Sequence, residues 1–508
     1  MTAPIRIGNA SGFYGDRESA VREMLTGGDL DVLTGDYLAE LTMLILATGR
    51  MKDPSRGYAR SFLRQMEDGL GLAVDRGVKI VANAGGLDPA GLAAAVRDLA
   101  GRLGLDVAVA HVEGDDLLPR AEELGWGSPL AANAYLGAWG IAAALDAGAD
   151  VVVTGRVTDA SLVVGPAAAH FGWARTDLDA LAGAVVAGHV VECGAQATGG
   201  NYSFFTEIDD LTRAGFPIAE VHEDGSSVIT KHPGTGGAVT VGTVTAQLLY
   251  EIAGPRYAGP DVTTRFDTIR LAEDGEDRVR ISGVEGEPPP PTLKVGINRL
   301  GGYRNEVTFV LTGLDIDEKA ALVRSQLEPA LPPGARWTLA RTDHPDAATE
   351  EEASALLRCV VRGDDPAVLG RRFTNAAVEL ALASYPGFHV TRPPSNGAPY
   401  GVFEPAYLAA GDVDHVAVLA DGSRIEVPPP ADTLELAEVP EPARPEVPAR
   451  LFDGPSRRLP LGTIALARSG DKGGSANIGV WVRSDEAYAW LVDLLTVDRL
   501  RELLPETS

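Results

Sequence analysis

Over roughly its first two hundred residues the chain alternates short β-branched runs with longer stretches of helical periodicity, and that alternation admits few folds. "IRIGN" (5–9), "LDVLTGD" (30–36), "VKIVANAGG" (78–86), "LDVAVAHVEGD" (105–115) and "ADVVVTGRVTD" (149–159) read as strands. Between them, 16–25, 37–49, 56–76, 88–103 and 130–147 read as helices, the last stopped by "DAGAD". A repeat of this kind buries its apolar surface as an open, mostly parallel α/β sheet with helices on both faces. Each strand ends in Gly, Asn, Asp or Thr, and in such sheets ligands bind at the carboxyl ends of the strands.

From about residue 260 the order changes to α+β. "FDTIRLAEDGEDRVRISGV" reads as a hairpin across Asp274-Gly275, "RNEVTFVLTGL" as a strand and "DIDEKAALVRSQLEPAL" as a helix opened by aspartates. The run "EVPPPADTLELAEVPEPARPEVPAR" (426–450) is rich in Pro and Glu and lacks a core-forming pattern, so it reads as an extended linker. The expected division is therefore 1–258, 259–425, a linker over 426–458 and a final piece, 459–508. That piece offers two strands around a Gly-rich turn and one helix, which is a marginal core for a free-standing domain.

Charge narrows the function. Acidic residues outnumber basic ones 71 to 44, a formal charge of −27 spread along the 508 residues. Such a surface repels nucleic-acid backbones and anionic lipid, so neither partner is expected. "PLAANAYLGAWGIAAALDAGADVVV" reaches Asp146 too soon to cross a bilayer, and the N-terminus shows no signal-peptide pattern. With two cysteines no disulfide framework is expected, which fits a reducing cytoplasm, and the Ala, Gly and Arg usage suggests a high-GC bacterium.

The strand ends carry the first candidate residues. "GNASGFYGD" places Asn9 in a glycine-rich turn before a helix, a geometry that offers N–H groups to an anion. "TGDYLAE", "ANAGG" and "TGRVTDAS" add Asp36, then Asn83, Gly85 and Gly86, then Arg156, Thr158 and Asp159. None is a G-x-G-x-x-G fingerprint, so no dinucleotide cofactor is expected. Arg156 can grip a ligand carboxylate or phosphate bidentately, or it can pair with Asp159 and fix the turn.

In "HVVECGAQATGGNYSF" (189–204) a cysteine follows a glutamate and precedes small polar residues. A thiol becomes a nucleophile when a cation, a helix N-terminus or a histidine lowers its pKa. His189 lies four residues before Cys193, on the same face if the helix continues that far. The end of a helix and the neighbouring Glu192 both oppose a thiolate, so Cys193 reads either as a nucleophile or as a small buried residue. Gln196 and Asn201, set among glycines, suggest a backbone brought close to a ligand whichever holds. Cys359, in the strand-like "LLRCVVRG", reads as ordinary core.

Two further glycine-rich loops contain charge. In "TKHPGTGGAVTVGTVTAQLLYEI", Lys231, His232, Gly234 and Gly236 precede a helix and could form an anion cradle or a structural turn, but no Walker lysine is present. "ARSGDKGGSANIGVWVRS" groups Arg468, Asp471, Lys472 and Asn477 around glycines, as a site or a docking surface. No histidine spacing indicates a metal, and a metal held by strand-end carboxylates cannot be read from spacing.

Taken in order, "GDYLAELTM", "ANAGG", "TGRVTDASL", "ECGAQATGGNYSFF", "KHPGTGGAVTVGTVTAQLLYEI" and "ARSGDKGGSANIGVWVRS" resemble the acyclic terpene utilisation AtuA family over nearly the whole chain. By name and setting that family is associated with bacterial breakdown of acyclic terpenes such as citronellol and geraniol, beside acyl-CoA dehydrogenases, biotin carboxylases and hydratases. The resemblance implies a ferredoxin-like C-terminal domain, here present as a short fragment. The chain stops at "RELLPETS", so truncation, a missing half from another polypeptide, or a dispensable half are the alternatives. Unpaired sheet edges would then give poor order or a partner contact around 460–508.

The expected function is an enzyme acting on a small carboxylate or acyl-CoA, through a lyase or hydratase-type step with Asp159 or Glu192 as base. A reactive Cys193 would substitute acyl transfer. No cofactor is evident, a CoA thioester is a candidate substrate, and self-association is expected. The rival is a non-catalytic assembly subunit of an acyl-CoA carboxylase or a related complex, docking through its C-terminal piece.

Overall fold

The computed structural model describes residues 3–437, 443–447, 455, 457–472 and 475–507. Much of the 426–458 linker, and the side chain of Lys472, lie outside these. The chain forms two compact units, one made of 1–297 together with 403–508, the other of 298–402.

The larger unit is built on strands β1 (Ile5–Asn9), β2 (Val32–Gly35), β3 (Lys79–Ala82) and β4 (Val109–Glu113) and their helices α1 (Ala20–Gly27), α2 (Glu40–Lys52), α3 (Arg60–Arg76) and α4 (Pro89–Leu103). A short strand β5 (Ala131–Ala134), helix α5 (Trp139–Asp146), strand β6 (Val151–Thr154) and helices α6 (Ser161–Phe171) and α7 (Leu178–Val191) follow, then β7 (Pro217–Val221), β8 (Ser227–Lys231) and α8 (Val241–Leu248). Among the described residues the principal sheet has eleven strands. Its centre, β1-β2-β3-β6-β4, is parallel throughout. The rims are antiparallel: β7, β8 and the hairpin Arg270–Glu273/Val279–Ser282 on one side, Val416–Val418 and Arg424–Glu426 on the other. The parallel reading thus holds for the five central strands, and the architecture is a large mixed sheet flanked by helices.

Each central strand is covered on both faces. "VVVT" of β6 and "VLTG" of β2 are buried at every position, which β-branched residues tolerate on a pleated surface. Each buried valine or leucine contributes about 1.5–3 kcal/mol. Helix α7, "LDALAGAVVAGHVV", buries twelve residues because it is apolar on every side. A Cβ on Gly183 would lie 2.1 Å from the Gly225 carbonyl oxygen, so glycine sets how closely this helix packs.

The helix expected over 130–147 is in fact strand β5 followed by α5. Alanine favours helix only weakly, and here pairing decides: Asn133 bridges to Asp116 and donates its side-chain amide to Asp115 at 2.9 Å. The C-terminal piece has a two-stranded hairpin, Leu466–Lys472 with Ser475–Trp481, and two helices instead of one, Asp485–Leu494 and Val497–Leu503. The hairpin packs Leu466 with Tyr202 and Ala246 of its own unit.

The smaller unit is α+β. Ser354–Gly363 pairs antiparallel with Arg336–Ala340 and with residues 303–312, and helices Ile316–Leu327 and Phe373–Glu379 cover the sheet. Cys359 is fully buried there, and burial, with Glu328 adding to it, pushes its thiol up to about 12. It is core, as its strand context indicates.

Candidate functional site

The carboxyl ends of β1, β2, β3 and β6 meet the C-terminus of α7, and Asn9, Asp36, Asn83, Arg156, Asp159, Glu192 and Cys193, all expected from the sequence, converge there. Asn83 donates to Asp36 at 2.6 Å and accepts from the Tyr37 N–H at 2.7 Å, which locks the turns after β2 and β3 together. Asn9 donates to the Val191 and Glu192 carbonyls at 2.6 and 3.0 Å, satisfying acceptors that the end of α7 leaves open. A Cβ on Gly12 would strike the Cys193 backbone at 2.6 Å. The β1 turn therefore holds the end of α7 against the sheet edge.

Arg156 is 2% exposed and lies 3.0 Å from Asp159, while its Nη1 donates to the Leu38 carbonyl at 2.7 Å. Its guanidinium stacks on Tyr135 at 4.2 Å, and Tyr135 donates to Glu40 at 3.1 Å. Burial pulls the Arg156 pKa down, but Asp159, Tyr135, Asp36 and Glu40 outweigh it and hold the group charged. Of the two readings of Arg156, the geometry gives the pairing with Asp159. The Asp159 side chain is 17% exposed, against 3% for Arg156, so the carboxylate is the member that solvent reaches.

Asp36 is the least comfortable acid. Burial first, then Asp159, raises its pKa well above the ordinary carboxyl range; Arg156 and Asn83 oppose this, and Glu192 adds to it. Asp115, outside the sequence expectation, is raised to about 7 by burial despite bonds from the Arg156 N–H and from Asn133.

Cys193 receives no activation. Burial raises its pKa well above the usual thiol value, and Glu192, Glu251, Asp36 and Asp159 raise it further. His189 is turned elsewhere: its Nδ1 lies 3.2 Å from Glu192, and its ring packs on Tyr257 and Phe266. Helix α7 stops at Val191, so His189 and Cys193 do not share a continued helical face. The nucleophile reading loses its physical basis.

The C-terminal hairpin supplies a further wall. Arg468 donates to the Gln196 side chain and stacks on Tyr250 at 4.3 Å, and Asn477 donates to the Leu249 carbonyl at 2.7 Å. Tyr250 interacts electrostatically with Cys193 and Glu251, so this wall adjoins the acid cluster. Asp471 is exposed in the hairpin. Asn201 is exposed with φ 57°, a turn residue outside the cluster.

The Lys231 loop is separate in character. Lys231 lies 2.8 Å from Asp277 and donates to the Thr235 carbonyl at 2.7 Å, and the His232 ring contacts the Met24 carbonyl at 2.9 Å. The N–H groups of Gly237, Ala238 and Val239 bond to Asp210, Thr198 and Asp277, and Thr240 and Thr243 close a capping box on α8. Gly236 bridges to Ala214, and Gly234 turns at φ 75°. Lys231 and the N–H groups of Gly237, Ala238 and Val239 thus have internal acceptors.

Gly85 and Gly86 act through shape: a Cβ on Gly85 would lie 2.5 Å from the Thr154 carbonyl oxygen, and Gly86 has φ 54°. The Thr158 hydroxyl is 2.6 Å from that of Ser161, at the start of α6. Among the described residues no three His, Cys, Asp or Glu side chains stand where together they could hold a metal ion. Nor is any described helix long and apolar enough to cross a membrane.

Fold and site define an α/β protein with an acid-rich cluster at the carboxyl edge of a parallel sheet core. A family model described as acyclic terpene utilisation family protein AtuA matches residues 5–419, and the chain belongs to that family. The comparisons with curated proteins and with solved structures found no match. The match ends before the hairpin that carries Arg468.

Proposed function

We propose that the strand-end cluster performs general acid–base chemistry on a small branched acid or its CoA thioester, as a lyase or hydratase step within acyclic terpene utilisation. The observation that carries this reading is the convergence of Asp36, Asp159 and Glu192 at the sheet's carboxyl edge, where burial first, then Asp159, raises the Asp36 pKa well above the ordinary carboxyl range against Arg156 and Asn83. A buried carboxyl with a raised pKa beside a second carboxylate that solvent reaches is suited to donate a proton while its neighbour accepts one. In the hydration direction Asp159, which solvent reaches, takes a proton from water as oxygen adds to the β-carbon. Asp36 delivers its proton to the α-carbon, and solvent exchange restores both groups. Arg156 acts through Asp159 as a positioning residue, and Arg468 with Gln196 offers the ligand anion a cation at the rim. Cys193 remains a thiol and takes no covalent part.

The test is incubation of the full chain with branched α,β-unsaturated acids and their CoA thioesters in deuterated water, read by mass spectrometry. Hydrated or deuterium-labelled product that is lost in Asp36→Asn supports the reading. Product formed equally well by Asp36→Asn, or no turnover of any member of the panel, overturns it.

A further inference from the structure

A cavity of about 310 Å³ lies in the larger unit, between the start of α5, the start of α7 and two proline runs, Pro288–Pro289 and Pro428–Pro430. Its size is at the low end for a small-molecule site. Proline lacks an N–H and has a fixed φ, so such walls resist the collapse that closes most interior gaps. The run after Val427 is tied down: Val427 N–H bonds to the His415 carbonyl at 2.8 Å, and Leu434 N–H to the Pro289 carbonyl at 2.9 Å.

The lining is mostly apolar, with Leu178, Leu293, Val413 and Val427 facing the space. The polar side chains in the lining are Arg175, Thr176, Asp261, His415 and Asp432. Asp261 is committed to the fold, accepting from the Ala138 N–H at 2.7 Å ahead of α5. Arg175 stacks over Trp139 at 5.2 Å and donates one bond, 2.8 Å, to the Pro428 carbonyl. Among the described residues no carboxylate forms a close ion pair with Arg175; burial lowers its pKa, and Asp261 in the same lining offsets only part of that. A half-desolvated cation beside apolar walls, with donors left over, is the complement of a carboxylate on an aliphatic body.

We infer that this cavity is a binding site for a small aliphatic monocarboxylate, with its carboxylate on Arg175 and its chain between Leu293 and Val413. The site shares no side chain with the Asp36 cluster and stands independently of the reaction proposed there. The two nevertheless meet in one segment. Tyr135 stacks on Arg156, whereas Gly137 and Trp139, two and four residues on, line the cavity.

The experiment is calorimetric titration of the full chain with octanoate, methyl octanoate and octanol, on the native protein and on Arg175→Gln, Val413→Trp and Asp36→Asn. The expected result is one octanoate per chain, at least about tenfold weaker binding of the uncharged analogues, and a similar loss in Arg175→Gln. Val413→Trp fills the space and should abolish binding. If that variant does not fold, Arg175→Gln still decides. Asp36→Asn should bind octanoate as the native chain does. The inference is overturned if octanoate fails to bind, if Arg175→Gln binds it undiminished, or if only Asp36→Asn loses it.

Discussion

The turns after β2 and β6 and the loop that follows β8 look alike in sequence, each a strand running through glycine and charge into a helix. In the folded chain they differ in how the charges are compensated. The β8 loop is largely closed on itself: Lys231 has Asp277, and the N–H groups of Gly237, Ala238 and Val239 have acceptors of their own. At the strand ends the buried guanidinium of Arg156 lies beside Asp159 and Asp36, and burial together with Asp159 and Glu192 raises the Asp36 pKa well above the ordinary carboxyl range. The first arrangement stabilises a turn. The second raises the pKa of a buried carboxyl at the carboxyl edge of the sheet.

Four substitutions sharpen or break that contrast. The largest effect is expected for Asp36→Asn, which should lower turnover of the substrate identified by mass spectrometry by about 10²–10⁴-fold. The same variant should melt no lower than the native chain above neutral pH, because it removes a carboxyl that cannot ionise cheaply there. Lys231→Met should do the reverse. Leaving Asp277 without its cation costs about 1–3 kcal/mol in denaturant unfolding, since Asp277 is partly solvated, while turnover stays within about twofold.

Asp115 gives a pH signature. Its folded pKa, about 7, lies above the ordinary aspartate value, so between the two the native state binds more protons than the unfolded one. Its contribution to stability is complete below the ordinary value and is lost as pH rises to about 7, with a slope on the order of 1 kcal/mol per pH unit. Unfolding curves across that range should flatten in Asp115→Asn, whose carbonyl oxygen can still accept from Arg156 and Asn133. The smallest effect belongs to Cys193→Ala, which should change turnover less than about threefold, and the native thiol should resist alkylation at neutral pH.

Much of this was legible. Hydrophobic periodicity located the central strands and α1 to α4, and the rule that ligands gather at strand carboxyl ends selected Asp36, Asn83, Arg156 and Asp159. Local chemistry left Cys193 open between nucleophile and buried residue, and in the fold burial joins its helix end and Glu192 in disfavouring a thiolate. What was not legible depended on distant partners. Asn133 sits in an alanine-rich run that reads as helix until Asp115 and Asp116 capture it. Asp115 closes a quoted strand, but its raised pKa comes from burial, which no spacing encodes. Tyr135 is visible as a site residue only once Arg156 is seen to stack on it. The Lys231 loop was ambiguous for the converse reason: Asp277, 46 residues on, neutralises it.

The proposed chemistry requires a protonated Asp36 at neutral pH, and infrared difference spectroscopy of the native chain against Asp36→Asn tests that most directly. The account predicts a protonated carboxyl band in the native protein that Asp36→Asn removes and Asp115→Asn leaves in place. A difference spectrum showing only an ionised carboxylate lost on Asp36→Asn would contradict it.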